Sequence, residues 1–271
     1  MDKRAARVKV GHQGQGILTQ LSNVIDREVG QLGTVRWEVI STTAQTAHRL
    51  HRNGFLQEKG FREIMTFEVY QVDVLTSELP QPDKKRFSSI QELSPQDLEA
   101  FFEDKASWQR VMTSDRMYTH YSPLRNVKQN ISKLINARSS VFASAYTADD
   151  VTLGDSDDAL TSSCVNLATC DVRMLTPTVR WKARRGLVYH MDIYASDFTD
   201  LESHIHCHID RIKQSGNERV CLSLCFESRY TGQISHRIAT CLREYGIERL
   251  TQNPGMSHIH TFQREFTTRS N

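Results

Sequence analysis

Apolar residues recur at helical spacing near the start of the chain. Ile17, Leu21, Val24 and Ile25 fall on one face of a helix, because they repeat at intervals of about one turn. A short β-like run of valines at residues 8–10 precedes them, and a glycine-rich stretch joins the two segments. The pattern predicts a strand, a glycine loop and a helix.

Further helices and strands are predicted up to about residue 78, and we call residues 1–78 the first block. Residues 35–40 (VRWEVI) are rich in β-formers and predict a strand. Residues 41–43 (STT) are suited to cap a helix over about 44–53. Residues 61–74, rich in Phe, Val, Tyr and Thr, predict a long strand. The predicted order is therefore β, glycine loop, α, β, α, β.

A polar stretch with two prolines follows at residues 77–85 and breaks any regular element. We place a domain boundary here. The predicted organisation is a first domain over 1–78, a linker over 79–92 and a second domain over 93–271.

The second domain has an α/β pattern as well. Ser94 followed by Pro95 predicts an N-capped helix start, and an acidic, turn-rich stretch at 147–163 predicts an exposed loop. The remaining predicted elements are a helix over 124–135, strands over 164–175 and 178–194, a helix over 201–213, a strand over 220–226, a helical face over 234–245 and a strand over 258–266.

Composition and charge narrow the class of protein. The 271 residues are 38% apolar and 24% charged, which favours a packed core. The net charge of +2 disfavours a strongly basic nucleic-acid coat or a polybasic membrane anchor. No apolar run reaches the roughly 18 residues of a membrane helix, and the N-terminus has no secretory signal. We therefore predict a soluble, cytoplasmic protein that binds neither nucleic acid nor membrane.

The six cysteines lie between Cys164 and Cys241, mostly inside apolar runs. A secreted, disulfide-stapled domain is usually shorter and denser in cysteine. The prediction is buried free thiols.

The glycine stretch before the first helix is the most specific feature. Glycines let the backbone approach a ligand, and the free amides and dipole of a helix N-terminus favour an anion, usually phosphate. A P-loop is disfavoured because no lysine follows, and a dinucleotide loop is disfavoured because Thr19 stands where its third glycine is needed. A plain glycine-rich turn remains an alternative.

The first block resembles the GNAT acetyltransferases, the GCN5-related superfamily. Gln13 and Gly16 match the first and central positions of the family's pyrophosphate loop, Gln/Arg-x-x-Gly-x-Gly/Ala. Leu18 departs from it, since Gly or Ala is usual there. Residues 47–55 (AHRLHRNGF) match the family's Ala-x-x-Leu-Tyr-x-x-Gly-Phe. The family's Asn three residues earlier is replaced by Ala44.

This resemblance implies acetyl-CoA as co-substrate and direct attack of an amine on its thioester. It implies that the loop amides hold the pyrophosphate and that the first strand pairs with the pantetheine. His51 occupies the position of the family's tyrosine and is a candidate general acid for the leaving thiolate; a surface histidine on a helix is the alternative. The implied cofactor-binding residues are Val8, Val10, Gln13, Gly14, Gln15, Gly16, Ile17 and Leu18.

The second half resembles the C-terminal domain of animal histidine N-acetyltransferases, mainly in residues 189–212 (YHMDIYASDFTDLESHIHCHIDRI). The resemblance implies an α/β fold of tandem GNAT-like domains, with mixed sheets flanked by helices. It also implies an incomplete first domain, because only about ten residues precede the loop. The implied acceptor is a small primary amine, perhaps the α-amine of a free amino acid such as histidine. The alternative function is a non-catalytic CoA-binding or interaction protein.

A cluster of histidines, residues 204–208 (HIHCH), invites comparison with a metal site. His204 and His208 share a helix face, but the pattern lacks further ligands at defined spacing. We therefore predict solvated histidines on an amphipathic helix with Ile205, Ile209 and Ile212 buried, and no metal.

Overall fold

The computed structural model describes residues 17–32, 37–81, 83–119, 121–145, 172–184, 186–253 and 256–266. Its helices are α1 (Ile17–Leu32), α2 (Ala44–Arg52), α3 (Phe55–Glu58), α4 (Pro95–Glu103), α5 (Lys105–Val111), α6 (Ile131–Leu134), α7 (Leu201–Gln214) and α8 (Thr231–Arg243). Its strands are β1 (Trp37–Thr43), β2 (Arg62–Leu75), β3 (Gln91–Glu92), β4 (Arg116–Thr119), β5 (Ser122–Arg125), β6 (Ser139–Ala145), β7 (Val172–Ala183), β8 (Gly186–Ala195), β9 (Arg219–Glu227) and β10 (His258–Glu265).

These elements form a mixed α/β fold, which confirms the predicted fold class. The main sheet has the strand order β1-β10-β2-β9-β8-β7-β6-β3, and β4 pairs with β5 in a separate hairpin. Strands β8 and β9 run parallel and are joined by α7, whereas β2 with β9, β6 with β7 and β7 with β8 are antiparallel. A helical crossover is what a parallel pair requires.

The chain divides into two compact units. Described residues within 1–40, 49–64 and 261–271 form the first unit, and those within 41–48 and 65–260 form the second. The predicted domain boundary at 79–92 and the tandem arrangement stay predictions. Among the described residues, no helix is both long and apolar enough to cross a bilayer.

Two apolar clusters cover the two faces of the sheet in the second unit. Successive strand residues point to opposite faces, so Leu224 and Cys225 of β9 enter different clusters. Both faces are therefore buried, which explains the nearly continuous apolar run of this strand. One cluster includes Leu98, Phe101, Met117, Leu175 and Cys225, and the other includes Met191, Leu201, Ile205, Leu224 and Ile238.

Several predicted elements are confirmed within a few residues. Helix α1 begins at Ile17, and α2, α7, β9 and β10 occupy the predicted segments. Ser94 caps α4: its hydroxyl accepts from the Asp97 N–H, and the Asp97 carboxylate accepts from the Ser94 N–H. The cap satisfies two main-chain groups that the helix itself leaves unpaired.

Two predictions of secondary structure were wrong. The helix predicted over 124–135 is instead the end of β5, a 3-10 turn over 128–130 and the single turn of α6. The break predicted between 175 and 178 lies within the continuous strand β7, although Pro177 has no N–H to donate. The ladder with β8 pairs Leu175 with Tyr194 and Thr178 with Met191.

Candidate functional site

The predicted cofactor loop immediately precedes α1. Val8, Val10, Gln13, Gly14, Gln15 and Gly16 lie outside the described residues, whereas Ile17 and Leu18 form the first turn of α1. This helix has 16 residues and no acidic side chain in its first turn. Its first amides have no partner inside the helix, and its dipole favours a negative charge at this end. The helix start therefore offers N–H donors directly after the glycine run, with no carboxylate of the first turn competing for them.

His51, the candidate acid, lies in the last turn of α2 and is exposed. Its ring meets the ring of Phe262 edge-on, with 5.5 Å between centroids. The His51 carbonyl accepts a hydrogen bond from the Gly54 N–H at 3.0 Å, which closes the helix. An exposed imidazole is open to proton exchange with a substrate or with water.

The residues that match the second family motif have clear local roles. Ala47 is buried, with 3% of its surface exposed. Gly54 follows α2 with φ of 71°, a left-handed conformation that favours glycine. Phe55 stacks on Phe61 with 6.1 Å between ring centroids. The motif therefore marks a buried helix face and a tight turn, so local packing alone accounts for these positions.

An arginine on β10 anchors α1 and β1 in the first unit. The Arg264 guanidinium donates to Glu38 at 2.7 Å from Nε and to Asp26 at 2.5 Å from Nη2. Asp26 also pairs with Lys59 at 3.2 Å. Burial raises the pKa of Asp26, but the hydrogen bonds and charges of Arg264 and Lys59 outweigh burial and hold it below its ordinary value. The network fixes α1, whose first turn follows the predicted loop.

The prediction of solvated histidines on α7 was wrong. His204, His206 and His208 are each at most 1% exposed. The predicted burial of the isoleucines on this helix is confirmed for Ile205, Ile209 and Ile212. The helix is covered around most of its circumference, so its polar face is also enclosed.

A chain of hydrogen bonds explains how His204 and His208 tolerate burial. The Thr176 hydroxyl lies 2.8 Å from His204 Nδ1 and 2.7 Å from His208 Nε2. The second nitrogen of each ring also has a partner. His204 Nε2 lies 3.2 Å from Ser144 Oγ, and His208 Nδ1 lies 2.8 Å from the Tyr189 hydroxyl. If the Thr176 hydroxyl donates to one ring and accepts from the other, one ring presents a lone pair to it and the other an N–H, and both imidazoles hold the same tautomer. Each ring nitrogen thus has a partner.

Burial also sets the protonation of these rings. It lowers the pKa of His204 to about 3 and, together with the nearby His204 and Arg211, brings the pKa of His208 well below its ordinary value. Both imidazoles are therefore neutral at physiological pH. In the part of the chain that the structure describes, neither belongs to a cluster of three metal-ligating side chains.

A second buried polar cluster, missed by the sequence analysis, lies between β8 and β9. Ser223 Oγ lies 3.0 Å from His190 Nδ1, and Asp192 Oδ1 lies 3.2 Å from His190 Nε2. The Cys225 thiol hydrogen-bonds to Asp192. All four residues are at most 2% exposed. We call these four residues the β8–β9 cluster.

The cluster has a sequence signal. Polar residues alternate with apolar ones in YHMDIY and LSLCF, so His190 and Asp192 share one face of β8, and Ser223 and Cys225 share one face of β9. The parallel register places His190 beside Ser223 and Asp192 beside Cys225. Burial raises the pKa of the Cys225 thiol well above its ordinary value, and the Asp192 charge adds to this effect.

Tyr121 covers the β8–β9 cluster from the turn between β4 and β5. Its φ of 64° is unusual for a residue other than glycine. Its ring meets His190 edge-on at 4.9 Å between centroids, and its hydroxyl hydrogen-bonds to Ser223. Burial raises the pKa of this phenol. Strained conformations of this kind persist where the surroundings hold them.

The prediction of buried free thiols is confirmed for three of the four cysteines that the structure describes, and the fourth is free but only half-buried. Cys207, Cys225 and Cys241 are free and buried, and Cys221 is free and half-buried. Cys164 and Cys170 lie outside the described residues.

Comparison with known proteins gives structural but not sequence relatives. No protein-family model matches the chain, and no curated protein matches its sequence. Similar solved structures include GCN5-related N-acetyltransferases from Anabaena variabilis, with 11% identity and a TM-score of 0.39, and from Sphaerobacter thermophilus, with 11% identity and a TM-score of 0.46. The alignments cover 95% and 96% of this chain and 52% and 71% of theirs.

A further similar structure is N-myristoyltransferase from Saccharomyces cerevisiae with bound myristoyl-CoA, at 10% identity and a TM-score of 0.42. That alignment covers 95% of this chain and 60% of the yeast enzyme. The chain thus spans about half the length of the Anabaena protein. Structural similarities with such low sequence identities and TM-scores concern the general course of the chain and do not identify an activity.

Proposed function

We propose that this chain is an acyl-CoA-dependent N-acyltransferase that transfers acetyl from acetyl-CoA to a small primary amine. The observation that carries the proposal is the start of α1 at Ile17, directly after the glycine run of residues 13–16. Amides that have no partner inside the helix, a helix dipole and the absence of acidic side chains in the first turn together favour a phosphate at this point.

The pyrophosphate of the acyl carrier would be held by the amides of Gln13, Gly14, Gln15, Gly16, Ile17 and Leu18. The backbone at Val8 and Val10 would pair with the pantetheine amides by strand addition. The proposal for these residues rests on their resemblance to the family's loop and on their place before α1.

The chemistry would be direct transfer. The amine nitrogen attacks the thioester carbonyl, a C–N bond forms, the C–S bond breaks, the amine loses a proton and the CoA thiolate gains one. His51 is the proposed donor of that last proton, because its exposed imidazole lies in the matching motif position. The proposed acceptor is the α-amine of a free amino acid, with histidine the first to test.

Calorimetry with CoA tests the loop. Gly16→Asp places bulk and negative charge beside the proposed phosphate and should weaken CoA binding at least tenfold. Gly232→Asp is the matched control, because Gly232 is exposed on α8 and an added Cβ there meets nothing within 4 Å. Equal CoA affinity of the unmodified chain and Gly16→Asp would contradict the assignment.

Release of CoA thiol tests the chemistry, with acetyl-CoA and a panel of free amino acids. His51→Gln should lower turnover, because glutamine cannot donate a proton to the leaving thiolate. His48→Gln is the control on the same helix, since His48 is also exposed. Turnover by His51→Gln equal to that of His48→Gln and of the unmodified chain would remove His51 from the mechanism.

A non-catalytic CoA-binding protein is the second candidate. The replacements at Leu18, Ala44 and His51, each different from the family's usual residue, favour it. The two functions separate cleanly in the same experiments. CoA binding that Gly16→Asp weakens, without thiol release for any amine, would establish the binding function and exclude the acyltransferase.

A further inference from the structure

Three side chains of different chemistry converge between β8 and β9. One ring nitrogen of His190, one carboxylate oxygen of Asp192 and the sulfur of Cys225 lie within 4.8 Å of one another. Asp192 and Cys225 are direct neighbours in the parallel register, and His190 lies two residues before Asp192 on the same face of β8. The backbone pairing of two adjacent strands therefore sets the spacing of all three atoms.

We propose that His190, Asp192 and Cys225 bind a zinc ion. Imidazole nitrogen, carboxylate oxygen and thiolate sulfur are the three ligand types that zinc accepts in proteins, and a single sulfur with nitrogen and oxygen suits a borderline-soft ion better than calcium or magnesium. Three protein ligands leave one tetrahedral position for a water molecule. This proposal is independent of the acyltransferase proposal, because it uses none of the same residues.

The state of Asp192 is a second, independent observation. Its side chain is 1% exposed, and its Oδ2 has no hydrogen-bond partner among the residues that the structure describes. A buried carboxylate normally has a counter-charge or a metal, because removing it from water is costly. Its Oδ1 contacts an imidazole nitrogen of His190, and no ion pair with a lysine or arginine is found for Asp192 in the described part of the chain. A divalent cation would supply the missing positive charge, and the carboxylate would be one of its ligands.

The surroundings of His190 orient it for this role. His190 Nε2 and Asp192 Oδ1 lie 3.2 Å apart and share a hydrogen bond. A zinc ion would take the place of the proton between them, and Nδ1 would then donate to Ser223 Oγ, 3.0 Å away. A hydrogen bond from the second nitrogen of a ligating histidine is the usual support in zinc sites. Tyr121 packs against the same ring and limits its rotation.

Metal analysis of the purified full chain tests the proposal. After chelation and dialysis, we expect the chain to take up one equivalent of Zn²⁺. Cobalt(II) in place of zinc should give a near-ultraviolet thiolate-to-cobalt band together with visible bands of a tetrahedral ion. Cys225→Ser should abolish the thiolate band. Cys221→Ser is the control, because Cys221 lies on the same strand and is half-buried. A band that survives in Cys225→Ser, or is lost in Cys221→Ser, overturns the assignment.

X-ray absorption on the zinc-loaded, unmodified chain keeps the proposal testable if Cys225→Ser does not fold. The expected first shell has one sulfur at about 2.3 Å and the remaining ligands nitrogen or oxygen at about 2.0–2.2 Å. A shell without sulfur, a shell with several sulfurs, or a folded chain that retains no zinc would each overturn the site. These results leave CoA binding untouched, so failure here is distinguishable from failure of the proposed function.

Discussion

Replacing Arg264 by Gln should lower the free energy of unfolding more than replacing the arginine of an exposed ion pair does. The Arg264 side chain is 9% exposed, and those of its partners Asp26 and Glu38 are each 17% exposed. Glutamine keeps much of the volume but removes the charge and the forked donors. Two largely buried carboxylates would then lose the positive charge that they share, while Lys59 stays paired with Asp26.

The magnitude follows from the burial of the group. Removing one partner of a fully buried pair costs about 3–5 kcal/mol, because the other charge stays buried and uncompensated. The residual exposure of Asp26 and Glu38 reduces this, and we expect a loss of about 2–3 kcal/mol in the free energy of unfolding. The ring of Phe61, 4.9 Å from the guanidinium, also loses a cation–π contact.

Urea unfolding at pH 7, followed by circular dichroism, measures this loss. Arg86→Gln is the matched control. Its pair with Glu244 is also a close arginine–carboxylate contact, but the two side chains are 45% and 46% exposed. Solvent screens such a pair, so the control should lose less than about 1 kcal/mol. Equal losses in the two variants would refute the argument that burial decides the cost.

The pH dependence of the stability gives a second check of the role of Arg264. The pKa of Asp26 in the folded chain lies below its ordinary value of 3.8. A carboxyl whose pKa is depressed by folding stabilises the protein above its unfolded pKa, and this contribution is lost as the pH falls through the folded pKa. The difference in stability between the unmodified chain and Arg264→Gln should therefore shrink as the pH falls from about 5 to 3. A difference that grows on acidification would contradict this sign.

Two further substitutions test the second unit by urea unfolding. Gly186→Ala should lower the free energy of unfolding by about 2–4 kcal/mol, because φ is +136° and a Cβ would lie 2.5 Å from a main-chain carbonyl oxygen of β9. Gly232→Ala is the control and should not destabilise the chain, because its Cβ meets nothing within 4 Å. Similar losses in the two variants would exclude the steric cause. Thr176→Val should cost about 2–4 kcal/mol, because it leaves buried nitrogens of His204 and His208 without a partner. An unchanged stability of Thr176→Val would show that these hydrogen bonds contribute no net stabilisation.

Much of the fold could be predicted from local patterns, because each pattern depends only on residues that are close together in the sequence. The helix face of α1, the cap at Ser94 and the apolar run of β9 each depend on a short window of sequence. Residues 124–135 misled the same reasoning. Leu124, Ile131 and Ile135 have helical spacing, but β5 pairs with β4 and its Leu124 lies opposite Met117. Tertiary pairing overrides local preference there.

The buried histidines could not be predicted because their burial depends on distant partners. His204 is neutral and satisfied only because Ser144 and Thr176 reach it from β6 and β7. The sequence shows an alternation of polar and apolar residues on α7, which is equally compatible with a solvated face. In the candidate site, the loop and His51 came from motif spacing alone, whereas the β8–β9 cluster joins residues 33 positions apart.

The buried polar groups of the second unit have one consequence for the sheet as a whole. On β8, Met191 and Ile193 enter the apolar cluster under α7 and α8, whereas His190 and Asp192 face the polar groups of β9. A slip of one residue between β8 and β9 would exchange these two sets and bury a carboxylate among isoleucines and leucines. An apolar strand covered on both faces would otherwise tolerate such a slip. The β8–β9 cluster therefore specifies the register of the parallel pair, and the same register brings the proposed zinc ligands together.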